Sequence, residues 1–498
     1  MHSGMPTHLP FDAVAFTPGA LLGPESGGEN PDPSRPGARR VVDALAALDV
    51  RMAVVVDSQQ ADPVATTDRL AEADLDVIPV LATGSAAPPH LSLASSDRTL
   101  VVASSSDPPP DPGLRDVFAG VVAVEPGQLL SFAVLDYVAR QLGPVRAAAQ
   151  LVAPLDAIAM EAAAARHLSL TKPPGALGRL EDLGIQLAGI SGRVPPPLPR
   201  PAAVAVFAAD HGVHAQGVSP WPQEVTTQMV TNFLAGGAAI NVLARHAGAS
   251  VVVVDVGVAG DLPRHEAGLV NRKVARGTAN LALGSTMTPE QAVQALEAGA
   301  EVALGLVGRG VRCLLTGDMG IANTTASAAL VGTLTGRRAG DITGPGSGLS
   351  EVAVPHKTTI VAEAVTRARA IHGDDPVGVL TEVGGFEHAA LAGFIVGGAA
   401  AGVPVVIDGV IAAAALLVAT RMVPGIESLV IAGHRSQEPG STAVLETLGL
   451  APVVDLDLRL GEGTGATLAL PLLDVAARVL TEMATFDQAG VSSKHSNW

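Results

Sequence analysis

AVAVFAADHG, residues 203–212, is a strand-length run of small and β-branched residues that ends on a carboxylate, a histidine and a glycine. The same design recurs in SVVVVDVGV (250–258), CLLTGDMG (313–320), VPVVIDGV (403–410) and SLVIAGH (428–434). None of these runs alternates apolar with polar residues, so each reads as a strand buried on both faces, as in parallel sheets covered by helices. Gly- and Ala-rich helical patterns lie between them. The pattern predicts an α/β fold with a large doubly wound, Rossmann-like parallel sheet. Its chemistry-bearing residues then collect where the strands end, along one edge of the sheet.

Composition supports this reading. Hydrophobic residues make up 48% of the 498 and aromatics only 2%, so the cores are built from Ala, Val, Leu and Ile, with Gly allowing backbones to approach closely. The formal net charge of −17 argues against nucleic acid or an anionic membrane as a main partner, since both call for basic surfaces. The single cysteine, Cys313, sits in an apolar run and reads as buried filler. It leaves no intramolecular disulfide framework and fits a reducing cytoplasm. The N-terminus carries no signal-peptide pattern. The uncharged stretch 389–407 is near the minimum length of a membrane span, but its glycines and Pro404 read better as a helix, a turn and a buried strand.

Three regions follow along the chain. Residues 1–142 hold short β-branched runs at 12–17, 52–57, 76–81, 99–104 and 120–125, with helical patterns at 38–48 and 62–73 and loops at 24–39 and 104–113. They predict a separate, small N-terminal α/β domain. This unit faintly resembles a degenerate haloacid-dehalogenase-like domain. It lacks that family's paired aspartates after the first strand and is expected to be catalytically silent. Residues 143–203 predict a small helical part, residues 204–490 the Rossmann-like domain, and residues 491–498 a tail.

Several segments are candidates for chemistry. Asp210, His211 and His214 fall within five residues of one another. They read as metal ligands, as a polar strand-end loop or as a small-ligand contact. GPGSG (344–348) and RLGEGTGA (459–466) are Gly-rich turns able to cradle an anion, without P-loop or dinucleotide spacing. Lys357 is a candidate phosphate cation. Glu462, between two glycines at a helix entrance, is either a partner for a helix dipole or a positioned general base. His434, Arg435, Ser436 and Glu438 follow an apolar strand, and Glu382, Glu387 and His388 lie in a Gly-containing run. In LLTGDMGIANTT (314–325) an acid sits in a glycine turn, followed by small hydroxyl and amide side chains.

Seven motifs occur in order: KPPGALGRLE, ADHGV…VSPWPQEVTTQMV, GDMGIANTT, GPGSG, EVGGFEHAALAG, VPVVIDG and RLGEGTGA. Together they resemble the nicotinate-nucleotide–dimethylbenzimidazole phosphoribosyltransferase family of cobalamin lower-ligand assembly, over about residues 150–490. The resemblance implies a glycosyltransferase that moves the ribose 5-phosphate of nicotinate mononucleotide to 5,6-dimethylbenzimidazole. It further implies inversion at the anomeric carbon, no cofactor or metal, and a homodimer. It assigns Glu462 as base and Asp318 to the ribosyl site, with Gly320 letting the backbone approach and Asn323 and Thr324 at the nucleotide. Ser219 and Gln228 match the benzimidazole region, and Gly346, Lys357 and Ser436 the phosphate region. Trp221 either stacks on the flat base or fills a wall. Two departures stand out: members carry Glu where this chain has Asp318, and Gly where it has Ala322. Asp is shorter by one methylene, roughly 1.5 Å of reach, which favours a ribose-side contact for Asp318 over proton acceptance. Two rival functions are a metal-dependent hydrolase using Asp210, His211 and His214, and a non-catalytic nucleotide-binding regulator that would not need Glu462.

Overall fold

The computed structural model describes residues 143–262 and 267–492 throughout, and before them five strands with isolated positions between. The helical pattern at 62–73, the loop at 24–39 and residues 105–113 and 493–498 lie outside the described residues.

The early β-branched runs form a parallel sheet of five strands, β1 (Ala13–Phe16), β2 (Arg51–Val56), β3 (Val80–Ala82), β4 (Thr99–Ser104) and β5 (Gly120–Val124), in the order β3-β2-β1-β4-β5. The second sheet has six parallel strands: β6 (Ala202–Ala209), β7 (Ala249–Gly257), β8 (Leu269–Asn271), β9 (Cys313–Met319), β10 (Val405–Ile407) and β11 (Val430–Ala432). Their order is β11-β10-β9-β6-β7-β8. The chain builds outward from β6 on one side, then returns and builds outward from β9 on the other. This is the dinucleotide-fold order, and it opens a crevice beyond the C-terminal ends of β6 and β9.

β6 shows why the apolar runs carried no alternation. Ala203, Ala205, Phe207 and Ala209 enter the core on one face, and Ala202, Val204, Val206 and Ala208 enter the core on the other. On the first face the helices Pro289–Gly308 and Phe386–Ala400 pack backbone against backbone. A Cβ on Gly299 would overlap the carbonyl of Ala390, and one on Gly393 the carbonyl of Leu296, so the two backbones touch without side chains between them. The stretch 389–407 divides into the buried helix Phe386–Ala400, a turn and β10. Among the described residues one helix, Thr464–Glu482, is long and apolar enough to cross a membrane, and about half of it (56%) is buried inside the protein.

The region 143–203 divides between two surroundings. Helices Ala157–Ser169 and Arg179–Ser191 pack with the end of helix Thr464–Glu482 around Ala159, Ala163, Ala188 and Leu480. Helix Pro144–Leu151 instead packs on helices Pro289–Gly308 and Phe386–Ala400. Its Val145 amide donates to Glu297 Oε2 at 2.8 Å, which satisfies a donor that every helix N-terminus leaves free.

Candidate active site

A cavity of about 390 Å³ opens at the β6/β9 crevice, within the usual size range of small-molecule sites. Asp318, Met319 and Gly320 come from the end of β9 and its turn, and Asn323 and Thr324 from the first turn of the helix Asn323–Thr335. Ser219 and Trp221 come from the loop after β6, and Gly346 from the glycine turn at 344–348. Ser436 and Glu438 follow β11, and the run Arg459–Glu462 closes the last side. Trp221, Val225, Met229, Ile321, Val410, Ile411 and Leu460 make much of the wall apolar. Nine of the sequence candidates therefore share one cavity: Glu462, Asp318, Ser219, Trp221, Gly320, Asn323, Thr324, Gly346 and Ser436.

Two candidates lie off the cavity. Gln228 is exposed; on its helix, Val225–Leu234, the cavity takes Val225 and Met229, and one residue of helix turns a side chain by about 100°. Lys357 is wholly buried beneath the cavity, with Nζ donating to Thr324 Oγ1 and to the Gly344 carbonyl, both at 2.9 Å. Burial pushes its pKa down to about 8. It therefore supports the glycine turn and Thr324 from below. A Cβ on Gly346, whose φ is +59°, would sit 2.7 Å from Thr324 Oγ1, so the turn needs glycine there.

Glu462 has φ +65°, between Gly461 at +83° and Gly463 at +94°. This left-handed run has no room for side chains on its glycines: a Cβ on Gly463 would come 2.7 Å from Val204 Cγ1, and one on Gly461 3.2 Å from both Asp318 oxygens. The run aims Glu462 at the N-terminus of helix Ala239–Ala247, where Oε2 accepts from Ile240 N at 3.2 Å. Burial pushes its carboxyl above the ordinary range and the Asp408 charge adds to this, against the opposing Ile240 hydrogen bond. Asp408 in turn accepts from Gly463 N at 3.1 Å and Ala466 N at 3.0 Å, at the head of helix Thr464–Glu482.

Asp318 is buried. Its Oδ2 accepts from Asn323 Nδ2 at 2.9 Å, and its Oδ1 has no hydrogen-bond partner. Burial, with the charges of Asp408, Glu387 and Glu462, pushes it well above the usual carboxylate range, outweighing the Asn323 bond. Ala322, the other departure, holds φ +74° and caps the helix Asn323–Thr335 without a side-chain bond.

Asp210, His211 and His214 do not converge. Asp210 Oδ2 accepts from Ala259 N at 2.8 Å, and His214 Nε2 meets the Trp221 carbonyl at 2.9 Å. His211 Nε2 pairs with Glu387 Oε1 at 2.7 Å. The hydrolase reading thus loses its ligand set. A different trio, His211, Glu387 and His388, lies close enough to hold an ion, wholly buried. The site assignments from sequence left out Glu438, whose Oε1 accepts from Gly346 N at 2.7 Å, and Arg459. Glu438 stands among the named candidates beside Ser436 without a role, Arg459 lies inside RLGEGTGA, and only the folded cavity separates them from their neighbours.

A family model described as Phosphoribosyltransferase matches residues 152–491. The nicotinate-nucleotide–dimethylbenzimidazole phosphoribosyltransferase of Salinispora tropica is 52% identical over 360 residues, which are 69% of this chain and 98% of the relative. The same-named protein of Thermus thermophilus is 54% identical over 323 residues, 65% of this chain and 95% of its own. The crystal structure of CobT from Thermus thermophilus superposes with a TM-score of 0.66 at 52% identity, covering 68% of this chain and 100% of that one. These matches leave the N-terminal sheet outside their reach.

Proposed function

We propose a reaction on the premise that the matches supply: this chain belongs to the nicotinate-nucleotide–dimethylbenzimidazole phosphoribosyltransferase family. It is a phosphoribosyltransferase, a pentosyl-transferring glycosyltransferase. Its donor is nicotinate mononucleotide and its acceptor 5,6-dimethylbenzimidazole. The products are nicotinate and α-ribazole 5′-phosphate, for assembly of the cobalamin nucleotide loop.

The observation that carries the reading is Glu462, a buried carboxylate fixed on a cavity lined both by apolar side chains and by hydroxyl, amide and glycine groups. A benzimidazole nitrogen attacks the anomeric carbon as the bond to the pyridinium nitrogen breaks. The pyridinium takes the bonding pair and leaves as neutral-ring nicotinate, so the leaving group needs no acid. The acceptor's other N–H proton passes to Glu462. Positive charge spreads over the ribose during the transfer, and Asp318 at the cavity offsets it when ionised.

The remaining assignments follow from position. Trp221, Val225 and Met229 wall the flat base. Thr324, Gly346 and Ser436 take the phosphate beside the N-terminus of helix Asn323–Thr335, whose dipole favours an anion. Lys357 holds that cradle from below, and Arg459 supplies a cation at the cavity edge. A homodimer would cover Leu456 and Leu460, apolar and exposed beside the cavity. The buried lone thiol of Cys313 suits a reducing cytoplasm.

The test mixes the purified protein with nicotinate mononucleotide and 5,6-dimethylbenzimidazole, with and without chelator, and follows products by chromatography and mass. Nicotinate and ribazole phosphate are expected in equal amounts, unaffected by chelator. No product with this or related bases would overturn the reading.

A further inference from the structure

The motif EVGGFEHAALAG contributes nothing to the cavity wall, yet it buries an acid and an imidazole directly behind it. We infer that Glu387 and His388 are positioning residues for the transfer: with His211 and Ser327 they form a buried polar chain that fixes the turn carrying Asn323 and, through it, the carboxyl of Asp318.

The chain is continuous. His211 Nε2 lies 2.7 Å from Glu387 Oε1, and the same oxygen lies 2.9 Å from His388 Nδ1. His388 Nε2 is 2.8 Å from Ser327 Oγ. Ser327 Oγ donates to the Asn323 carbonyl at 3.0 Å, and Asn323 Nδ2 donates to Asp318 Oδ2 at 2.9 Å. It joins four elements: the loop after β6, the first turn of helix Phe386–Ala400, the N-terminal part of helix Asn323–Thr335, and the end of β9.

At its far end the donors can be named. A carbonyl only accepts, so the Ser327 hydroxyl donates to Asn323. Ser327 takes the Asn323 backbone and leaves the Asn323 side chain to donate to Asp318.

Stability alone explains the arrangement poorly. His211, Glu387, His388 and Ser327 are each at most 1% exposed, and well-packed apolar groups of similar volume usually serve a core as well or better. The helix that the chain grips also needs holding. Its N-cap is Ala322, which offers no side-chain acceptor or donor, so Ser327 and His388 fix the first turn from inside. The trio His211, Glu387 and His388 could instead hold a metal ion. Both imidazoles, however, meet one carboxylate oxygen at hydrogen-bond distance, and the remaining nitrogen of His388 is already engaged by Ser327.

The inference rests on the proposed transferase reaction, so wild-type turnover tests that reaction and the variant-to-wild-type ratio tests the chain. Steady-state kinetics would compare S327A, H388N, H388Q and the double variant S327A/H388N, alongside melting temperature and metal content. S327A removes one small group and keeps the helix. S327A and H388N are expected to lower kcat about tenfold with KM for nicotinate mononucleotide nearly unchanged, because the loss falls on the transition state. The double variant should be no worse than either single one, since both break the same link. H388Q reaches Ser327 through its amide and should recover most of the rate. Unchanged kcat in S327A and H388N with only a lowered melting temperature would overturn the inference. So would a stoichiometric transition metal in the wild type that is lost in H388N.

Discussion

Glu462 Oε2 accepts the amide proton of Ile240 at 3.2 Å, across 222 residues of chain. Helix Ala239–Ala247 begins after Ala238, which cannot cap it with a side chain, and the acid at the cavity does so instead. One carboxylate thus ties the turn that opens helix Thr464–Glu482 to the start of a second helix packed against it. Its second oxygen is left for the proton transfer proposed above.

Glu462→Gln separates the two duties. The amide oxygen still accepts from Ile240, so the melting temperature should stay close to that of the wild type. The rate should fall roughly 10²–10⁴-fold, the usual contribution of a general base. Glu462→Ala should add a loss of about 1 kcal/mol for the missing cap. The base must be ionised to act, and burial and Asp408 raise its pKa. Activity should therefore decline on acidification at a pH above that of an ordinary glutamate, a limb that a kcat/KM–pH profile would locate.

Asp318→Asn should stabilise the protein while slowing it. Burial and neighbouring carboxylates raise Asp318 in the folded state. A carboxyl raised on folding contributes stability below its unfolded pKa and loses it as pH rises through the folded one. Above its unfolded pKa the buried acid costs stability, a burden that Asn removes, while Asn can still accept from Asn323. A gain on the order of 1 kcal/mol is expected, with a fall in kcat. The gain should shrink in acid, which denaturant melts at two pH values would show.

Ala322→Gly should stabilise without cost to activity. An alanine at φ +74° is strained by its Cβ. The gain is partly offset by the freer unfolded chain, leaving roughly 0.5–1 kcal/mol. A lower stability in Ala322→Gly would show that the Ala322 methyl is held by packing that outweighs the strain.

Where a shortened chain begins should matter. A chain starting at residue 143 keeps helix Pro144–Leu151 and is expected to be soluble and active. One starting at residue 152, where the family model begins, loses Val145 and Leu151 from the core. At about 1.5–3 kcal/mol for each such buried side chain, with Glu297 left without its partner, the melting temperature should drop markedly. Aggregation of the longer version would show instead that the first sheet covers part of the second unit's core.

The strands were legible because burial on both faces leaves short runs, most of them rich in β-branched residues, that end on small or acidic residues, whereas the buried helices are longer and richer in Ala and Gly. The runs at 203–209, 250–254, 313–315, 405–407 and 430–432 each became part of a strand. Site membership was legible where a residue sits at a strand end, as Asp318 and Gly320 do, or in a glycine turn at a helix entrance, as Glu462 does. It was lost where the fold decides by rotation or depth. Gln228 and Met229 are neighbours in sequence but face different sides of one helix. Lys357 has the expected charge and lies one layer too deep to line the cavity. Pairings such as His211 with Glu387, 176 residues apart, leave no local trace at all.

The bare contact between Gly299 and Ala390, and between Gly393 and Leu296, bears on how this protein can change over time. Two helices whose main chains touch cannot slide past each other or admit even one extra methyl. They drift together or not at all. Substitutions at Gly299 and Gly393 are thus expected to be refused, which directs any tolerated change elsewhere in the chain. Such a scaffold lets a catalyst retune its preference for one flat base over another without renegotiating its foundations.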